Sequence, residues 1–294
     1  MAKIHIIIGP TASGKSALAL SLAEKIGGVI INADSQQLYR DLPILTARPT
    51  PEEESRAPHK LYGILNGDEA SSAGKWLRLA KMEIDWALSQ HVTPIIVGGT
   101  GLYIKALMQG IADMPDIAPE VRAQASNDFA AMGKEAFTAR LREVDPAFFE
   151  RLHVVDKQRL IRAYEVWLGS GKPLSFWQEQ APNPPYAASD YTVTRVELPR
   201  NELYKRCDAR FIRMIEQGAV REVMEWWSGG VVEKNTPLPH YSITPSPLLK
   251  IIGVREIISH LQGEITLEAA IQKAQQATRH YAKRQMTWFR NQLP

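Results

Sequence analysis

The chain of 294 residues is long enough for one large or two modest domains with a sizeable core. Its hydrophobic share of 45%, charged share of 23% and net charge of +3 are ordinary for a globular protein, so total charge neither requires nor excludes an acidic partner. A single cysteine, Cys207, excludes an internal disulfide framework and fits a reducing cytosol. The first apolar run is too short for a signal peptide, and no stretch reaches the ~20 apolar residues of a membrane span. We expect a cytoplasmic protein without a membrane partner.

Predicted strands and helices alternate over the first part of the chain. The pattern indicates strands at 4–8, 29–31, 59–65 and 94–97, helices at 15–26, 73–90 and 102–109, and a loop at 43–58. Such alternation predicts a doubly wound parallel sheet, in which ligands bind beyond the carboxyl ends of the strands. Three segments follow strand ends, namely GPTASGKS, NADSQQLY and VGGTGLY. We therefore expect them to converge on one edge of the sheet.

The character of the sequence changes near Pro115. Helical patterns continue from there to about Gln180 without strand signals, and PNPPY at 182–186 is typical of a linker. The strand-like TVTRVEL then indicates a return to the core. A helix at 201–217, a proline-rich loop at 236–247 and a last helix at 267–290 follow.

The segment GPTASGKS has the spacing of a phosphate-binding loop and comprises Gly9, Pro10, Thr11, Ala12, Ser13, Gly14, Lys15 and Ser16. Its glycines let main-chain N–H groups surround phosphate oxygens, Lys15 would neutralise the terminal phosphates, and Ser16 would ligate Mg²⁺. A chance glycine-rich turn is the alternative, but the flanking strand and helix are the expected context. We predict an α/β protein with a P-loop NTPase-like parallel-sheet core, a helical insertion domain and a helical C-terminal segment. The predicted division is 1–113, 114–190 and 191–294.

A part that phosphate-loop ATPases use is missing. Such enzymes hold Mg²⁺ partly with an acid at the end of a second apolar strand, whereas the strand 94–97 ends in Gly98-Gly99-Thr100. The carboxylate at a strand end is instead Asp34, which could bind metal, act as a general base, or only form a turn or helix cap. Thr100 could reach a bridging or leaving oxygen, or only cap the helix that follows.

Seven motifs occur in an order that resembles the tRNA dimethylallyltransferase family, also called the tRNA isopentenyltransferases. They are GPTASGKS, ADSQQLY, TARP at 46–49, VGGTGLY, PEVRA at 119–123, DKQRLIRAYEV at 156–166 and AKRQMTWFRN at 282–291. The resemblance extends over almost the whole chain. One departure is Leu45, because the family usually has glycine before its TA-[KR]-P motif. The chain has no C-terminal Cys/His finger, so we expect the compact bacterial type.

The resemblance implies transfer of a dimethylallyl group from dimethylallyl diphosphate to N6 of the adenosine 3′-adjacent to the anticodon, in tRNAs that read U-initial codons. The phosphate loop would hold the diphosphate of the prenyl donor rather than ATP, with Mg²⁺ bridging its oxygens. Asp34 would accept a proton from the adenine amine or orient it, and Thr100 would bond to the bridging oxygen. Arg206 and Arg210 lie four apart on a predicted helix and could clamp the diphosphate or form a solvated basic face.

The expected partner is the anticodon stem-loop of tRNA, where unpaired bases expose N6. The resemblance implies these tRNA-binding residues: Asp34, Ser35, Gln36, Gln37, Thr100, Arg122, Gln158, Arg159, Leu160, Ile161, Arg162, Lys283, Arg284 and Arg290. The last helix has no acid after Glu268 and interleaves cations with aromatic residues. This pattern favours binding of nucleic acid, although a run of charges often forms only a solvated surface.

The rival functions are an adenylate isopentenyltransferase, a small-molecule kinase and a non-catalytic RNA-binding module. Nothing in the resemblance requires more than a monomer.

Overall fold

The computed structural model of the protein describes residues 3–112, 114–150, 156–180, 183–229 and 246–292. They form two compact units, one of Met1–Met108 with Pro185–Pro294 and one of Gln109–Pro184. The second unit begins and ends a few residues earlier than the predicted insertion, 114–190. Its two ends lie against each other, since a Cβ on Gly110 would be 2.7 Å from the carbonyl carbon of Asn183. Most of the predicted loop at 236–247 and residue 182 of the predicted linker lie outside the described residues.

The first unit is built on a parallel sheet with the strand order β3-β2-β4-β1-β5. The strands are β1 (Ile4–Ile8), β2 (Gly28–Asn32), β3 (His59–Lys60), β4 (Thr93–Gly98) and β5 (Tyr191–Arg195). In the register of the central strands, Ile6 lies beside Ile96 and Ile30 beside Ile95. These continuous apolar strands are buried on both faces, as parallel sheets require. The predicted α/β class with a parallel-sheet core is confirmed.

Helices surround this sheet and make up the second unit. In chain order they are α1 (Lys15–Ile26), α2 (Pro43–Thr46), α3 (Pro51–Arg56), α4 (Ala73–Ser89), α5 (Gly101–Gln109), α6 (Pro119–Val144), α7 (Pro146–Glu150), α8 (Lys157–Ser170), α9 (Leu174–Glu179), α10 (Arg200–Glu216), α11 (Ala219–Trp227), α12 (Val254–Leu261) and α13 (Leu267–Gln292). Within the described ranges, no helix is both long enough and apolar enough to cross a bilayer.

Two predicted elements differ from the structure. The segment 43–58 was predicted as a loop, but it contains α2 and α3. Proline at the first helical position favours both helices, and Thr50 forms a capping box with Glu53 at the start of α3. The predicted strand 59–65 ends after Lys60, because Leu61 has a φ of 62°, outside the extended region.

The second unit, with helices α6 to α9, has a hydrophobic core of its own. Phe137, Leu141 and Leu160 are fully buried in it. The carboxylate of Asp145, also buried, accepts hydrogen bonds from the amides of Phe148 and Ser175, both at 3.1 Å. This carboxylate therefore joins the starts of α7 and α9, and it serves the packing of the unit rather than chemistry.

Candidate active site

The loops that follow β2 and β4 are joined at the carboxyl edge of the sheet. The Thr100 amide donates to the carbonyl oxygen of Ala33 at 3.1 Å, and the Ser35 amide donates to the Thr100 hydroxyl at 2.9 Å. Gly98 permits this approach, because a Cβ there would lie 2.1 Å from the carbonyl carbon of Ala33. A larger residue at position 98 would therefore separate the two loops.

Gln285 on α13 joins the phosphate loop to the same place. Its Oε1 accepts from the Thr11 amide at 2.8 Å, and its Nε2 donates to the carbonyl oxygen of Gly99 at 2.8 Å. A glutamine amide supplies both a donor and an acceptor, and this one is buried. The predicted convergence of the three loops is confirmed. Gln285 is not among the residues predicted from the sequence, because several other uncharged amides lie on the same helix and nothing in the local pattern distinguishes it.

We expect Gln285→Ala to lower the free energy of unfolding by about 2–4 kcal/mol, because it leaves a buried N–H and a buried C=O without partners. Urea unfolding measures this effect. Gln276→Ala, on an exposed position of the same helix, is the matched control. Stabilities that agree within about 0.5 kcal/mol for the two variants would contradict the joining role.

A cavity of about 560 Å³ lies at this edge of the first unit. Groups from several predicted motifs line it: Thr11, Lys15, Ser16, Asp34, Gln36, Gln37 and Arg210. The whole of segment 43–51 and Tyr281 of α13 line it as well. The cavity thus combines a cationic part, the carboxylates of Asp34 and Glu53, and a wall in which proline and apolar residues predominate.

The phosphate loop has the conformation of an anion-binding segment. Ala12 and Gly14 have φ values of 62° and 95°, and left-handed residues in a short loop create a concave set of amides. Gly14 precedes α1 without a side-chain cap. Gly9 lies against the chain after β5, where a Cβ would be 2.7 Å from the Val196 carbonyl oxygen. The N-terminal amides of α1 therefore suit a phosphate group.

Lys15 is the cation at the centre of this loop. Its Nζ donates to the carbonyl oxygen of Pro10 at 3.4 Å, and its side chain is buried. Burial lowers the pKa of the ammonium to about 8, while Asp34 acts in the opposite direction and Arg210 adds to the lowering. Among the described residues no carboxylate lies within ion-pair distance of Lys15. A buried ammonium without an ion-pair partner is suited to receive an anionic substrate.

The two predicted arginines of α10 lie in different environments. Arg210 donates to the Thr11 hydroxyl, lines the cavity, and has its pKa lowered by burial. Arg206 is half exposed and pairs with Glu202 at 2.6 Å. Its Nη1 is 4.0 Å from the place that a Cβ on Gly14 would occupy. Arg210 therefore faces the cavity, whereas Arg206 lies close to the loop but outside the lining, and the shared clamp stays a prediction.

Asp34 forms a turn and lines the cavity at the same time. Its Oδ1 accepts from the Gln36 amide at 3.0 Å, so the turn-forming alternative is part of its role. Asn32, buried at the end of β2, fixes the main chain, since its Oδ1 accepts from the Asp34 amide at 2.8 Å and its Nδ2 donates to the Asp34 carbonyl at 3.0 Å. The sequence analysis missed Asn32. The carboxylate is thereby held beside Lys15 and Ser16 in the cavity lining.

Thr100 uses its side chain to join loops. The hydroxyl accepts from the Ser35 amide and lies 3.3 Å from the Ser35 hydroxyl, while the Thr100 carbonyl accepts from the amide of Tyr103 at the start of α5. Tyr281 also hydrogen-bonds Thr100; burial and nearby Asp34 raise the phenol pKa of Tyr281. The predicted bond from Thr100 to a bridging oxygen stays a prediction.

Of the predicted tRNA-binding residues after β2, Ser35 is absent from the lining of this cavity, whereas Asp34 lines it. Gln36 and Gln37 line it. The Nε2 of Gln37 donates to the carbonyl oxygens of Thr46 and Ala47, at 3.0 and 2.7 Å. This amide therefore supports segment 43–51, and its predicted RNA contact would have to use the remaining oxygen.

In the second unit, the predicted tRNA-binding residues lie around the start of α8. Gln158, Arg159 and Arg162 line an open groove of about 670 Å³. Arg122 and Arg162 both approach the buried carboxylate of Glu165, with Arg122 Nε at 3.8 Å. The side chain of Leu160 is fully buried, and Ile161 packs against the same core. An RNA contact of Leu160 would therefore be limited to its main chain.

The predicted cations of α13 form an exposed face in the first unit. Lys283, Arg284 and Arg290 are exposed, and Arg284 lies 5.7 Å from the ring centre of Tyr281. Lys283, Arg284 and Trp288 line an open groove of about 590 Å³. Cations beside an aromatic ring are the groups that backbone contact and base stacking require.

The donor set of the cavity fits Mg²⁺ only together with a substrate. In the described part of the chain, no cluster of three His, Cys, Asp or Glu side chains could hold a metal by itself. The Ser16 hydroxyl and the Asp34 carboxylate line the same cavity, and both offer oxygen ligands. Mg²⁺ is usually bound by one or two such groups together with waters and substrate phosphates. These residues therefore fit the predicted metal.

Comparison with known proteins decides the family. A family model described as IPP transferase matches residues 37–292, and one described as isopentenyl transferase matches residues 2–66. The chain belongs to the IPP transferase family. Its relatives include the tRNA dimethylallyltransferases of Rhodospirillum centenum, 46% identical over 99% of this chain and 89% of the relative, and of Phenylobacterium zucineum, 47% identical over 99% and 90%.

Solved structures of the family resemble this chain in fold. A tRNA delta(2)-isopentenylpyrophosphate transferase from Staphylococcus epidermidis is 31% identical, with a TM-score of 0.66 over 99% of this chain and 92% of that structure. A eukaryotic dimethylallyltransferase acting on tRNA is 26% identical, with a TM-score of 0.80 over 98% and 70%. The predicted fold and family resemblance are thus confirmed.

Proposed function

We propose that this protein transfers a dimethylallyl group from dimethylallyl diphosphate to N6 of the adenosine 3′-adjacent to the anticodon, in tRNAs that read U-initial codons. The observation that carries the proposal is the cavity in which a phosphate loop and Asp34 face the same space. A phosphate-loop kinase would hold Mg²⁺ partly with an acid at the end of a second strand. Here β4 ends at Gly98 and is followed by Gly99 and Thr100, so no acid stands at that place. Membership in the IPP transferase family supports the same chemistry.

The phosphate-loop side of the cavity suits the donor. The amides at the start of α1, together with Lys15 and Arg210, would bind the diphosphate oxygens. As the allylic C–O bond breaks, negative charge develops on the diphosphate. Fixed cations and N–H groups directed at that charge lower the barrier. Mg²⁺, held by Ser16 together with the diphosphate oxygens, would neutralise part of the same charge.

The position of the Asp34 carboxylate suits a role in orienting and deprotonating the acceptor adenosine. When the N6 amine attacks the allylic carbon, the nitrogen gains a positive charge and must lose a proton. The Asp34 carboxylate, fixed by Asn32 and by its own turn, is positioned in the cavity to orient that amine and accept the proton. Thr100 is absent from the cavity lining and its hydroxyl is bonded to Ser35, so its side chain would have to leave Ser35 in order to donate to the bridging oxygen.

Mass spectrometry of tRNA nucleosides tests the proposal. Unmodified tRNA, dimethylallyl diphosphate and Mg²⁺ are incubated with the protein, and we expect N6-dimethylallyladenosine at one position of the anticodon loop. Prenylation of free AMP without prenylation of tRNA would instead identify an adenylate isopentenyltransferase. Transfer of labelled phosphate from ATP to an acceptor would identify a kinase, and RNA binding without either product would identify a binding module.

We expect tRNA binding to weaken steeply with salt. Each phosphate contact contributes about one unit to the slope of log Kd against log salt concentration. Lys283→Ala and Arg284→Ala should each lower that slope by about one, measured by filter binding between 50 and 300 mM salt. Lys25→Ala, at the exposed end of α1, is the matched control. Binding by the wild-type protein that does not change with salt would contradict the backbone contact.

We also propose that the protein is a monomer and lies in the cytoplasm. The resemblance to the family does not require a second copy of the chain. Sedimentation at micromolar concentration should therefore give a mass near 32.9 kDa.

A further inference from the structure

Glu222 on α11 holds the beginning of segment 43–51. Its two carboxylate oxygens accept from the amides of Ile44 and Leu45, at 2.7 and 2.9 Å. The carboxylate is half-buried, and burial raises its pKa although both amides and Arg48 act in the opposite direction. Both of its oxygens bind main-chain amides by charge-assisted hydrogen bonds, which offset the cost of partial burial and fix the position of that main chain.

The other end of the segment has a second anchor. The Nε2 of Gln37 donates to the carbonyl oxygens of Thr46 and Ala47, and Ala47 has a φ of 52°. Four consecutive residues, 44–47, are therefore bonded through their main chain to two side chains, one of them nine to ten residues away and the other on α11. Because Ile44 and Leu45 lie in the first turn of α2, Glu222 binds amides that this short helix leaves without partners.

The position of this segment shapes the cavity. Residues 43–51 all line it, together with Asp34 and Lys15. Glu222 itself is absent from that lining. Any effect of Glu222 on the reaction must therefore pass through the segment.

Glu225, a neighbouring acid on α11, has the contacts that are typical of an exposed surface residue. Glu225 pairs with Arg221 at 2.7 Å, one helical turn away, and both side chains are well exposed. In the described residues Glu222 has no ion pair of this kind. Glu222 thus binds main-chain amides of another segment, whereas Glu225, three positions later, pairs with an arginine of its own helix.

We infer that Glu222 is a positioning residue, which holds segment 43–51 as the wall against which the acceptor adenosine is placed beside Asp34. The inference rests on the proposed function. Diphosphate binding should not depend on Glu222, because Lys15 and Arg210 are held by contacts with Pro10 and Thr11.

Glu222→Gln tests the inference, with Glu225→Gln as the matched control. A glutamine keeps the length of the side chain but has one acceptor oxygen, so one of the two amides loses its bond. Hydrogen exchange should become at least about tenfold faster at whichever of the Ile44 and Leu45 amides loses its acceptor in Glu222→Gln, and exchange at both should stay unchanged in the control. The KM for tRNA should rise about tenfold, while the Kd for inorganic diphosphate changes by less than about twofold.

Two results would overturn the inference while prenyl transfer by the wild-type protein still supports the proposed function. One is a KM for tRNA in Glu222→Gln within twofold of the control. The other is an equal loss of diphosphate and tRNA affinity, which indicates a general structural role. Failure of the wild-type protein to prenylate tRNA would instead overturn the proposed function, and with it this role of Glu222.

Discussion

Replacement of Asp34 by asparagine will lower kcat for prenyl transfer about 10²–10⁴-fold, the usual contribution of a positioned proton acceptor. Asparagine keeps an Oδ1 that can accept from the Gln36 amide, so the turn seen in the structure is retained. An amide cannot take the proton that the attacking N6 amine must lose. The variant therefore separates the chemical role of Asp34 from its role in the turn.

Single-turnover kinetics with saturating donor and unmodified tRNA measure this effect. Asp41→Asn, an exposed aspartate outside the cavity lining, is the control. The affinity of Asp34→Asn for tRNA should change little in comparison with kcat. A kcat within tenfold of the control would show that Asp34 serves only the turn.

Replacement of Lys15 by methionine will lower kcat/KM for the donor about 10²–10³-fold. Lys15 is the buried cation of the phosphate loop, and removal of one group that stabilises a developing negative charge has an effect of this size. Calorimetric titration with inorganic diphosphate should show weaker binding as well. Lys25→Met, on the exposed end of the same helix, should bind diphosphate as the wild-type protein does.

The same variant should be more stable than the wild-type protein at neutral pH. Burial lowers the pKa of Lys15 from its usual 10.5 to about 8, so the folded state carries the charged lysine at a cost of up to about 3 kcal/mol below pH 8. Between pH 8 and 10.5 the folded state loses this proton while the unfolded state keeps it, and the stability of the wild-type protein rises relative to the variant.

Urea unfolding of both proteins at several pH values tests the stability of Lys15→Met. The difference in free energy of unfolding should be largest below pH 8 and should decrease as the pH approaches 10.5. A variant that is less stable than the wild-type protein at pH 7 would contradict the conclusion that burial of the ammonium is unfavourable in the absence of substrate.

Much of the fold follows from local patterns. The apolar run before Gly9 and the helical periodicity after Gly14 predict β1 and α1 with the bounds that the structure shows. The strand at 59–65 and the loop at 43–58 were predicted wrongly, because their local structure depends on the left-handed Leu61, on Pro43 at the first position of α2 and on the cap that Thr50 provides for α3.

The candidate site was predictable where a motif carries its own chemistry. The phosphate loop and Asp34 follow directly from the ends of β1 and β2, and parallel strands bring such ends together. Gln285, Asn32 and Glu222 were not predictable from spacing. Gln285 and Glu222 act by hydrogen bonds to main-chain groups distant in the sequence, whereas Asn32 bonds both to the nearby main chain of Asp34 and to the distant carbonyl oxygen of Leu61. Any residue type can supply such main-chain groups.

The sequence by itself determined the class of fold, the family and the motifs that meet at the cavity, because each depends on short-range patterns and on their order along the chain. Only the tertiary structure decided that Arg210 rather than Arg206 lines the cavity, and that Gln285 and Glu222 hold its loops. The reason is physical. The pair of Arg206 with Glu202 lies within α10 and is a local feature, but only the packing of α10 against the phosphate loop brings Arg210 to Thr11 and into the cavity lining.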